Sequence, residues 1–178
     1  MSSATLKIDT LPAEETLENG ILVVYFAPEN TERAAAYTIA GALSAGLFEI
    51  VPEEPYTAED LNYRNSASRS MKEMKDAAAR PAIAAMPESL EAYSAIILVY
   101  PIWGGMAPRI IATFLENADL SGKTVIPFCT SNSSGLGSSD TALHALTDGS
   151  VAWQAGHGVR KGCTAEDIVL WAQGLELP

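Results

Sequence analysis

The sequence contains few of the residues that usually mark metal, disulfide or histidine chemistry. Its 178 residues include 2 Cys and 2 His. Cys129 and Cys163 have neither a Cys-x-x-Cys spacing nor a histidine that would suggest a metal or redox-disulfide site, so we expect buried or incidental thiols. His144 and His157 have no evident acid and nucleophile partners, which favours surface or helix-capping positions over a general base.

Positive charge is also scarce. The chain has 11 Lys and Arg against 22 Asp and Glu, which gives a formal net charge of -11. Such a field repels nucleic acid and anionic membrane surfaces and favours basic partners. An acidic surface that only keeps the protein in solution is the simpler interpretation, and a surface that docks a basic partner is the alternative.

Long apolar runs are absent as well. No run approaches the ~20 residues that a membrane span needs. Residues 1–20 are acidic and polar and lack the basic and apolar regions of a signal peptide. We therefore expect a cytoplasmic protein that associates with neither nucleic acid nor membrane.

The length and composition indicate one globular domain. Hydrophobic residues make up 48% of the chain and charged residues 19%, and 178 residues suit a single α/β unit. We expect this domain to cover residues 21–178. Residues 1–20 are then an N-terminal extension, for which a flexible arm, an added strand and a partner-binding segment all remain open.

Apolar runs of strand length alternate with helical patterns along the chain. The predicted strands cover residues 21–26, 47–51, 95–100, 124–129 and 151–154, the last extending toward Val159. The predicted helices cover residues 32–45, 108–118, 138–146 and 164–175, and Thr164 with Asp167 is a typical helix start. The alternation predicts an α/β fold with a parallel sheet covered by helices on both faces.

One segment, residues 52–88, interrupts this alternation. A loop of that length in a compact domain is usually functional or partly helical. Short helices are predicted at residues 57–62, capped by Thr57, and at residues 68–79. We expect the segment to lie across the carboxyl edge of the sheet.

The most informative stretch is Tyr-Pro-Ile-Trp-Gly-Gly-Met-Ala-Pro-Arg at residues 100–109. It follows an apolar run and precedes an amphipathic helix, so it forms a turn at the carboxyl end of a buried strand. Ligands bind at that edge of open parallel sheets. Trp103 is a candidate ligand contact there, and an interface or core aromatic is the alternative.

Several blocks of the sequence together resemble the compact flavodoxin-type flavoproteins of bacteria, which bind flavin mononucleotide (FMN). The blocks lie at residues 21–26, 55–61, 79–81, 100–103, 107–110, 114–115, 127–131 and 134–138. The resemblance covers residues 21–175. It implies a flavodoxin-like three-layer sandwich with a five-stranded parallel sheet in the order 2-1-3-4-5, and FMN held by loops after the first, third and fourth strands.

The first of these loops departs from the family pattern. The family usually has Ser-x-Thr-Gly-Asn-Thr as a phosphate nest, whereas this chain has the shorter Ala27-Pro28-Glu29-Asn30-Thr31. Ala27 lacks a hydroxyl, Pro28 lacks an amide donor and Glu29 adds a carboxylate. The resemblance leaves Asn30 and Thr31 as phosphate ligands, and helix capping is the alternative for both.

The second and third loops match the family better. The second loop has Gly104 where an aromatic residue often follows Trp103, and the backbone amides from Ile102 to Gly105 are expected to face the pyrimidine side of the flavin. The third loop, residues 130–137, is small and polar, as suits a flavin edge or an anion. The implied cofactor contacts in these loops are Tyr100, Pro101, Ile102, Trp103, Gly104, Gly105, Thr130, Ser131, Asn132, Ser133 and Gly135.

The resemblance implies an FMN flavoprotein that transfers electrons or acts as a small NAD(P)H/quinone-type oxidoreductase. The flavin then performs the chemistry and no side chain needs to be catalytic. The implied partners are a redox protein, a nicotinamide donor or a quinone acceptor, and a homodimer remains open. The competing hypothesis is a flavodoxin-fold binding or interaction module that has lost or weakened FMN binding through its altered first loop. A third is a pocket for another small ligand between Gly104 and residues 52–88.

Overall fold

The computed structural model describes residues 19–131, 139–160 and 163–178, and strands alternate with helices along these ranges. The strands are β1 (Ile21–Tyr25), β2 (Gly46–Glu49), β3 (Ala95–Pro101), β4 (Thr124–Ser131), β5 (Ala152–Trp153) and β6 (His157–Arg160). The helices are α1 (Asn30–Leu43), α2 (Arg69–Lys75), α3 (Arg109–Asn117), α4 (Ser139–His144) and α5 (Ala165–Gln173).

The sheet is parallel and its strand order is β2-β1-β3-β4-β5, as the resemblance implied. The fifth strand predicted at residues 151–154 is present as β5, but it does not continue toward Val159. β5 pairs with the start of β4, at Thr124 and Val125, whereas β6 pairs with the end of β4, from Phe128 to Ser131. Residues 154–156 separate the two, so the fifth position of the sheet is occupied by two short strands.

Apolar side chains cover both faces of the central strands, which explains why β1 and β3 are apolar throughout. On one face, Leu98 packs in a buried cluster that includes Ile110 and Phe114 of α3. On the other face, Ile97 packs in a cluster that includes Ile39 of α1 and Ile168 of α5. The two clusters form the core of a three-layer sandwich.

The chain around α1 is fixed by hydrogen bonds at the end of that helix. α1 ends at Ser44, which has a φ of 51°, and the side-chain amide of Asn19 donates to the Leu43 and Ser44 carbonyls at 2.5 and 2.8 Å. The Gly20 carbonyl accepts from the Ser94 and Ala95 amides at 2.8 and 3.2 Å. Asn19 and Gly20 are therefore joined to the domain, and the rest of the predicted extension lies outside the described residues.

The segment from residue 52 to residue 88 contains less helix than its sequence predicted. α2 is shorter than the predicted 68–79, and residues 57–62 form turns instead of a helix. Thr57 does cap the first turn, since its hydroxyl accepts from the Asp60 amide at 3.1 Å. The side chains of Asn62 and Asn65 then accept from backbone amides two residues ahead, which favours turns over continued helix.

Two arginines attach this segment to α3. Arg80 makes a two-pronged ion pair with Glu116, with both N to O distances at 2.8 Å. Arg109 donates to the Glu73 and Met74 carbonyls at the end of α2, at 3.2 and 2.9 Å. Arg109 therefore holds the end of α2 through hydrogen bonds to backbone oxygens. No helix in the described ranges is long and apolar enough to cross a bilayer.

We expect Ile97→Ala to lower the free energy of unfolding by about 2–5 kcal/mol, because it leaves a cavity beneath a fully buried central strand. Urea unfolding measures the change. Leu170→Ala, on the exposed side of α5, is the matched control and should change stability by less than about 0.5 kcal/mol. Equal effects of the two substitutions would contradict the core assignment.

Candidate functional site

β1, β3 and β4 end at the same edge of the sheet, where the first two loops lie beside Thr130 and Ser131, the described start of the third. Phe26 follows β1 and its amide donates to the Val99 carbonyl of β3 at 3.0 Å. Pro101, the last residue of β3, lies opposite Thr130 of β4. The carboxyl edge therefore brings together the loops that the sequence assigned to a ligand.

The second loop is a tight hairpin centred on two glycines. Trp103 and Met106 exchange backbone hydrogen bonds of 2.9 and 3.1 Å, and Gly104 and Gly105 between them have φ values of +58° and +81°. Positive φ at both central residues is the type I′ pattern, which glycine adopts without strain. An aromatic residue often follows this tryptophan in the family, but at position 104 it would be strained by the positive φ. This is a physical reason for the glycine found there.

Hydrogen bonds within and next to the hairpin determine which of its backbone amides remain available to bind a ligand. The Ile102 amide donates to the Thr130 carbonyl at 2.9 Å, and the Trp103 amide is used inside the turn. Of the four amides expected to face a flavin, two are therefore already bonded. The Gly104 and Gly105 amides have no partner within the described part of the chain, and a Cβ atom at either glycine would meet nothing within 4 Å.

Trp103 lies in an aromatic cluster that joins the second loop to residues 52–88. Its ring contacts Phe26 and Tyr56 edge-on, with centroid distances of 5.8 and 5.6 Å, and those two rings are 5.8 Å apart. Trp103 is only half-buried, so part of the indole remains accessible. The expectation that residues 52–88 reach the carboxyl edge is confirmed by these contacts.

Tyr56 is held in this cluster from two sides. The Arg69 guanidinium lies 3.9 Å from the Tyr56 ring centroid, and the phenol donates to Glu73 at 2.6 Å. Burial, followed by the Glu73 carboxylate, raises the pKa of Tyr56. The phenol is thus a neutral hydrogen-bond donor that positions the ring.

The first loop ends at the start of α1 without a side-chain cap. Glu29 is the N-cap residue and makes no capping hydrogen bond, whereas Asn30 and Thr31 are the first two helical residues. The capping role considered for Asn30 and Thr31 was therefore wrong. Both side chains are exposed, so they and the first-turn amides of α1 are available to an anion.

The sequence reasoning missed Glu32, which lies one residue beyond these candidates. Only 3% of Glu32 is exposed, and its Oε1 accepts from the Thr130 hydroxyl at 2.5 Å. Its Oε2 is buried and has no hydrogen-bond partner among the described residues. Burial is the main cause that raises the pKa of Glu32, and the charge of Glu29 adds to it, although the Thr130 hydrogen bond opposes the shift.

Thr130 connects all three loops. Its hydroxyl donates to Glu32 behind the first loop, its carbonyl accepts from Ile102 of the second loop, and its own backbone leads into the third loop. Ser131 beside it is buried and lies opposite Arg160 of β6. Asn132, Ser133 and Gly135, the remaining third-loop candidates, lie outside the described residues.

Two groups near the edge belong to the core. Tyr100 is fully buried and its hydroxyl lies 3.0 Å from the Ser139 hydroxyl, so its side chain packs beneath the loops. Burial raises the pKa of the Cys129 thiol to about 12. Cys129 is therefore uncharged at neutral pH and unsuited to act as a nucleophile.

The loops at this edge carry acidic side chains but no basic ones. Residues 26–32, 101–108 and 130–139 contain no Lys or Arg, whereas the first loop and first turn carry Glu29 and Glu32. The loops themselves offer an anion only backbone amides, neutral polar side chains and the α1 helix dipole, while Arg33, which donates to the Asn30 side chain at 3.5 Å, is paired with Glu49. The arrangement suits an amphipathic ligand with a planar ring at the glycine hairpin and a polar end at α1.

We expect Glu32→Gln to stabilise the protein at pH 8 by about 1–3 kcal/mol, because it removes a buried charge while keeping an acceptor for Thr130. Because folding raises the pKa of Glu32, the wild-type carboxyl binds its proton more tightly in the folded than in the unfolded protein. The wild type should therefore be less stable than the variant at pH 8, and this difference in unfolding free energy should shrink as the pH falls toward 4.5, the ordinary pKa of Glu.

Urea unfolding at several pH values measures this difference. Glu29→Gln removes the same charge from the exposed N-cap residue and should have little effect. A Glu32→Gln protein that is less stable than wild type at pH 8, or a difference that does not vary with pH, would contradict the buried-charge assignment.

Comparison with known proteins adds a family and several structural relatives. A family model described as flavodoxin matches residues 20–175. No curated protein matches the chain. A candidate flavoprotein from Bacteroides eggerthii is 40% identical, with 86% of this chain and 95% of that chain covered and a TM-score of 0.79.

Two further structures extend the comparison. A candidate flavoprotein from Bacteroides uniformis is 39% identical, with 87% of this chain and 98% of that chain covered and a TM-score of 0.82. A flavoprotein from Lactobacillus acidophilus, crystallised in complex with FMN, is 20% identical, with 80% and 93% covered and a TM-score of 0.64. At that identity the likeness is one of fold.

Proposed function

Because this chain belongs to the flavodoxin family, we propose that it binds FMN at the carboxyl edge of its sheet and works in electron transfer or as a small flavin oxidoreductase. The observation that carries this proposal is the second loop. It offers the half-buried indole of Trp103, two glycine amides that have no hydrogen-bond partner among the described residues, and open space, all within one tight hairpin.

The described residues fit the ring end of the cofactor. Trp103 would stack on or flank the isoalloxazine, and the Gly104 and Gly105 amides would donate to its pyrimidine oxygens and nitrogens. The absence of side chains at Gly104 and Gly105 leaves the ring approachable on that side. A flavin supplies the hydride or electron chemistry, while the protein fixes its position and surroundings.

The phosphate end fits less well but retains a binding element. The exposed first turn of α1 offers backbone amides together with the Asn30 and Thr31 side chains. Glu29 and Glu32 oppose an anion at the same place. We therefore expect FMN to bind with a smaller contribution from its phosphate than a hydroxyl-rich nest would provide.

An electron-transfer role is supported by what surrounds the hairpin. The described rings at the hairpin are Phe26, Tyr56 and Trp103, and electron transfer by a flavin needs no proton transfer from any of them. Several acidic residues are exposed on the segments that reach this edge, namely Glu29, Glu53, Glu54 and Glu59. Their charge would steer a basic redox protein, while a nicotinamide donor or a quinone acceptor would use the open ring face.

A binding or interaction module without FMN is the second candidate. The observation that favours it is the first loop. There Ala27 has no hydroxyl, Pro28 has no amide N–H and Glu29 adds a carboxylate. A module of this kind would keep the fold and the hairpin but bind neither FMN nor riboflavin.

Substitution of Trp103 tests the proposed function. We expect Trp103→Leu to weaken FMN binding by roughly 10-fold or more, because an aromatic contact is worth about 0.5–1.5 kcal/mol beyond its buried area. Quenching of flavin fluorescence measures the dissociation constant. Riboflavin binding should weaken by a similar factor, since the ring is common to both ligands.

Trp153→Leu is the matched control. Trp153 is also half-buried, but it lies in β5 opposite Val125, at the amino end of the sheet. We expect that variant to bind FMN like the wild type. Equal losses in both variants would point to general destabilisation, and no saturable binding by the wild type would favour the interaction module.

A further inference from the structure

Glu32 combines three properties that the proposed function does not yet use. It is buried, one of its carboxyl oxygens has no hydrogen-bond partner among the described residues, and it lies in the first turn of α1, the helix at the proposed phosphate end. A buried carboxyl with a purely structural role usually has both oxygens hydrogen-bonded. Here Oε1 accepts from the Thr130 hydroxyl, and the Glu32 and Glu29 backbone amides, which lower the pKa of the carboxyl, lie near it without giving Oε2 a hydrogen bond.

The surroundings of Glu32 provide little to neutralise its charge. Glu29, three residues earlier, disfavours the charged form, and Arg33 is turned away to pair with Glu49 on β2. Asp167 of α5 is held in the capping box with Thr164. The ionisable side chains on the elements that pack against α1 are Tyr25 on β1, Glu49 on β2, Tyr100 on β3, Cys129 on β4, and Glu166 and Asp167 on α5, of which Tyr100 and Cys129 pack on the opposite face of the sheet.

We propose that Glu32 determines the preference of this site between phosphorylated and unphosphorylated flavins, and that FMN binds together with one proton taken up from solvent by the Glu32 carboxyl. This inference rests on the proposed function, because it concerns the phosphate end of the same site. Riboflavin, which has no phosphate, binds without this proton.

The physical reason is the repulsion between two anions in a poorly screened place. A phosphate monoester at the α1 N-terminus brings up to two negative charges to a region where no Lys or Arg lies in the loops. Burial strengthens the interaction between that charge and a carboxylate at Glu32. Protonation removes the carboxylate charge, and it turns a buried acceptor into an O–H donor.

The sign of the pH dependence follows from this linkage. As the pH rises, Glu32 in the free protein loses its proton, and FMN must then restore it on binding. FMN affinity therefore falls with rising pH, by at most ~10-fold per pH unit for one proton. Riboflavin affinity stays nearly constant over the same range.

The test compares dissociation constants of FMN and riboflavin from pH 5.5 to pH 8 in wild type, Glu32→Gln and Glu29→Gln, using flavin fluorescence quenching. The wild type should prefer FMN over riboflavin by a ratio that rises at least several-fold as the pH falls from 8 to 6. Glu32→Gln should prefer FMN strongly at pH 8 and lose most of this dependence. Glu29→Gln should keep the wild-type slope, because the exposed carboxylate is screened by solvent.

The Glu32→Gln variant also serves as a control for the ionisation of the FMN phosphate itself. The FMN phosphate takes up its own proton near pH ~6, and this contribution is present in all three proteins. Only the difference between wild type and Glu32→Gln reports on Glu32. Identical slopes in these two proteins would overturn the proposal.

A second measurement counts the protons directly. Calorimetric titration at pH 7 in buffers of different ionisation enthalpy gives the number of protons exchanged on binding. Net proton uptake by the wild type with FMN that exceeds the uptake by Glu32→Gln would support the proposal, and no uptake by the wild type with FMN would overturn it, whether or not the variant folds. If neither flavin binds the wild type, the proposed function fails and this inference fails with it, whereas binding of both flavins without proton linkage overturns the inference alone.

Discussion

The contact between the Thr130 hydroxyl and the buried Glu32 carboxyl is the constraint on which the rest of the edge depends. It ties the end of β4 to the first turn of α1, while the Thr130 carbonyl ties β4 to the second loop through Ile102. Pairing of β3 with β4 fixes Thr130 opposite Pro101, so the loop that carries Trp103 cannot shift independently. The first turn of α1, the second loop and the end of β4 are therefore connected as one unit at the carboxyl edge of the sheet.

This unit has a well-formed ring end and a compromised phosphate end. The type I′ hairpin leaves two amides and open space beside an aromatic cluster, at no conformational cost because both central residues are glycine. The α1 end, in contrast, offers amides beside two carboxylates and no cation in the loops. A flavin would draw more of its affinity from ring contacts, and its phosphate would depend on the protonation of Glu32.

The fold could be predicted because its signals are strong and local. Apolar runs define β1, β3 and β4, helical periodicity defines α1 and α3, and the resemblance supplied the strand order that the sheet confirms. The break between β5 and β6 could not be predicted, since the residues near position 155 are compatible with a strand that continues. Residues 57–62 were wrongly predicted as helix because local Asx turns, which compete with helix, give the same cap signal as a helix start.

The site was predicted in part, for reasons that differ from loop to loop. The glycine hairpin is encoded by Trp-Gly-Gly-Met, but the hydrogen bonds that use up the Ile102 and Trp103 amides depend on the neighbouring strand and turn. Glu32 was missed because a glutamate in a first helical turn is normally exposed, and its burial is a consequence of packing against β4. Tyr100 was predicted as a cofactor contact, whereas its side chain fills the core beneath the loops.

The most direct test is the stoichiometry of FMN bound to the purified protein, measured by absorbance after gel filtration at pH 6. The account predicts saturation at one FMN per chain, with a bound-flavin spectrum that differs from that of free FMN. A protein that elutes without flavin after incubation with excess FMN would contradict it, and would leave the flavodoxin fold with an interaction role.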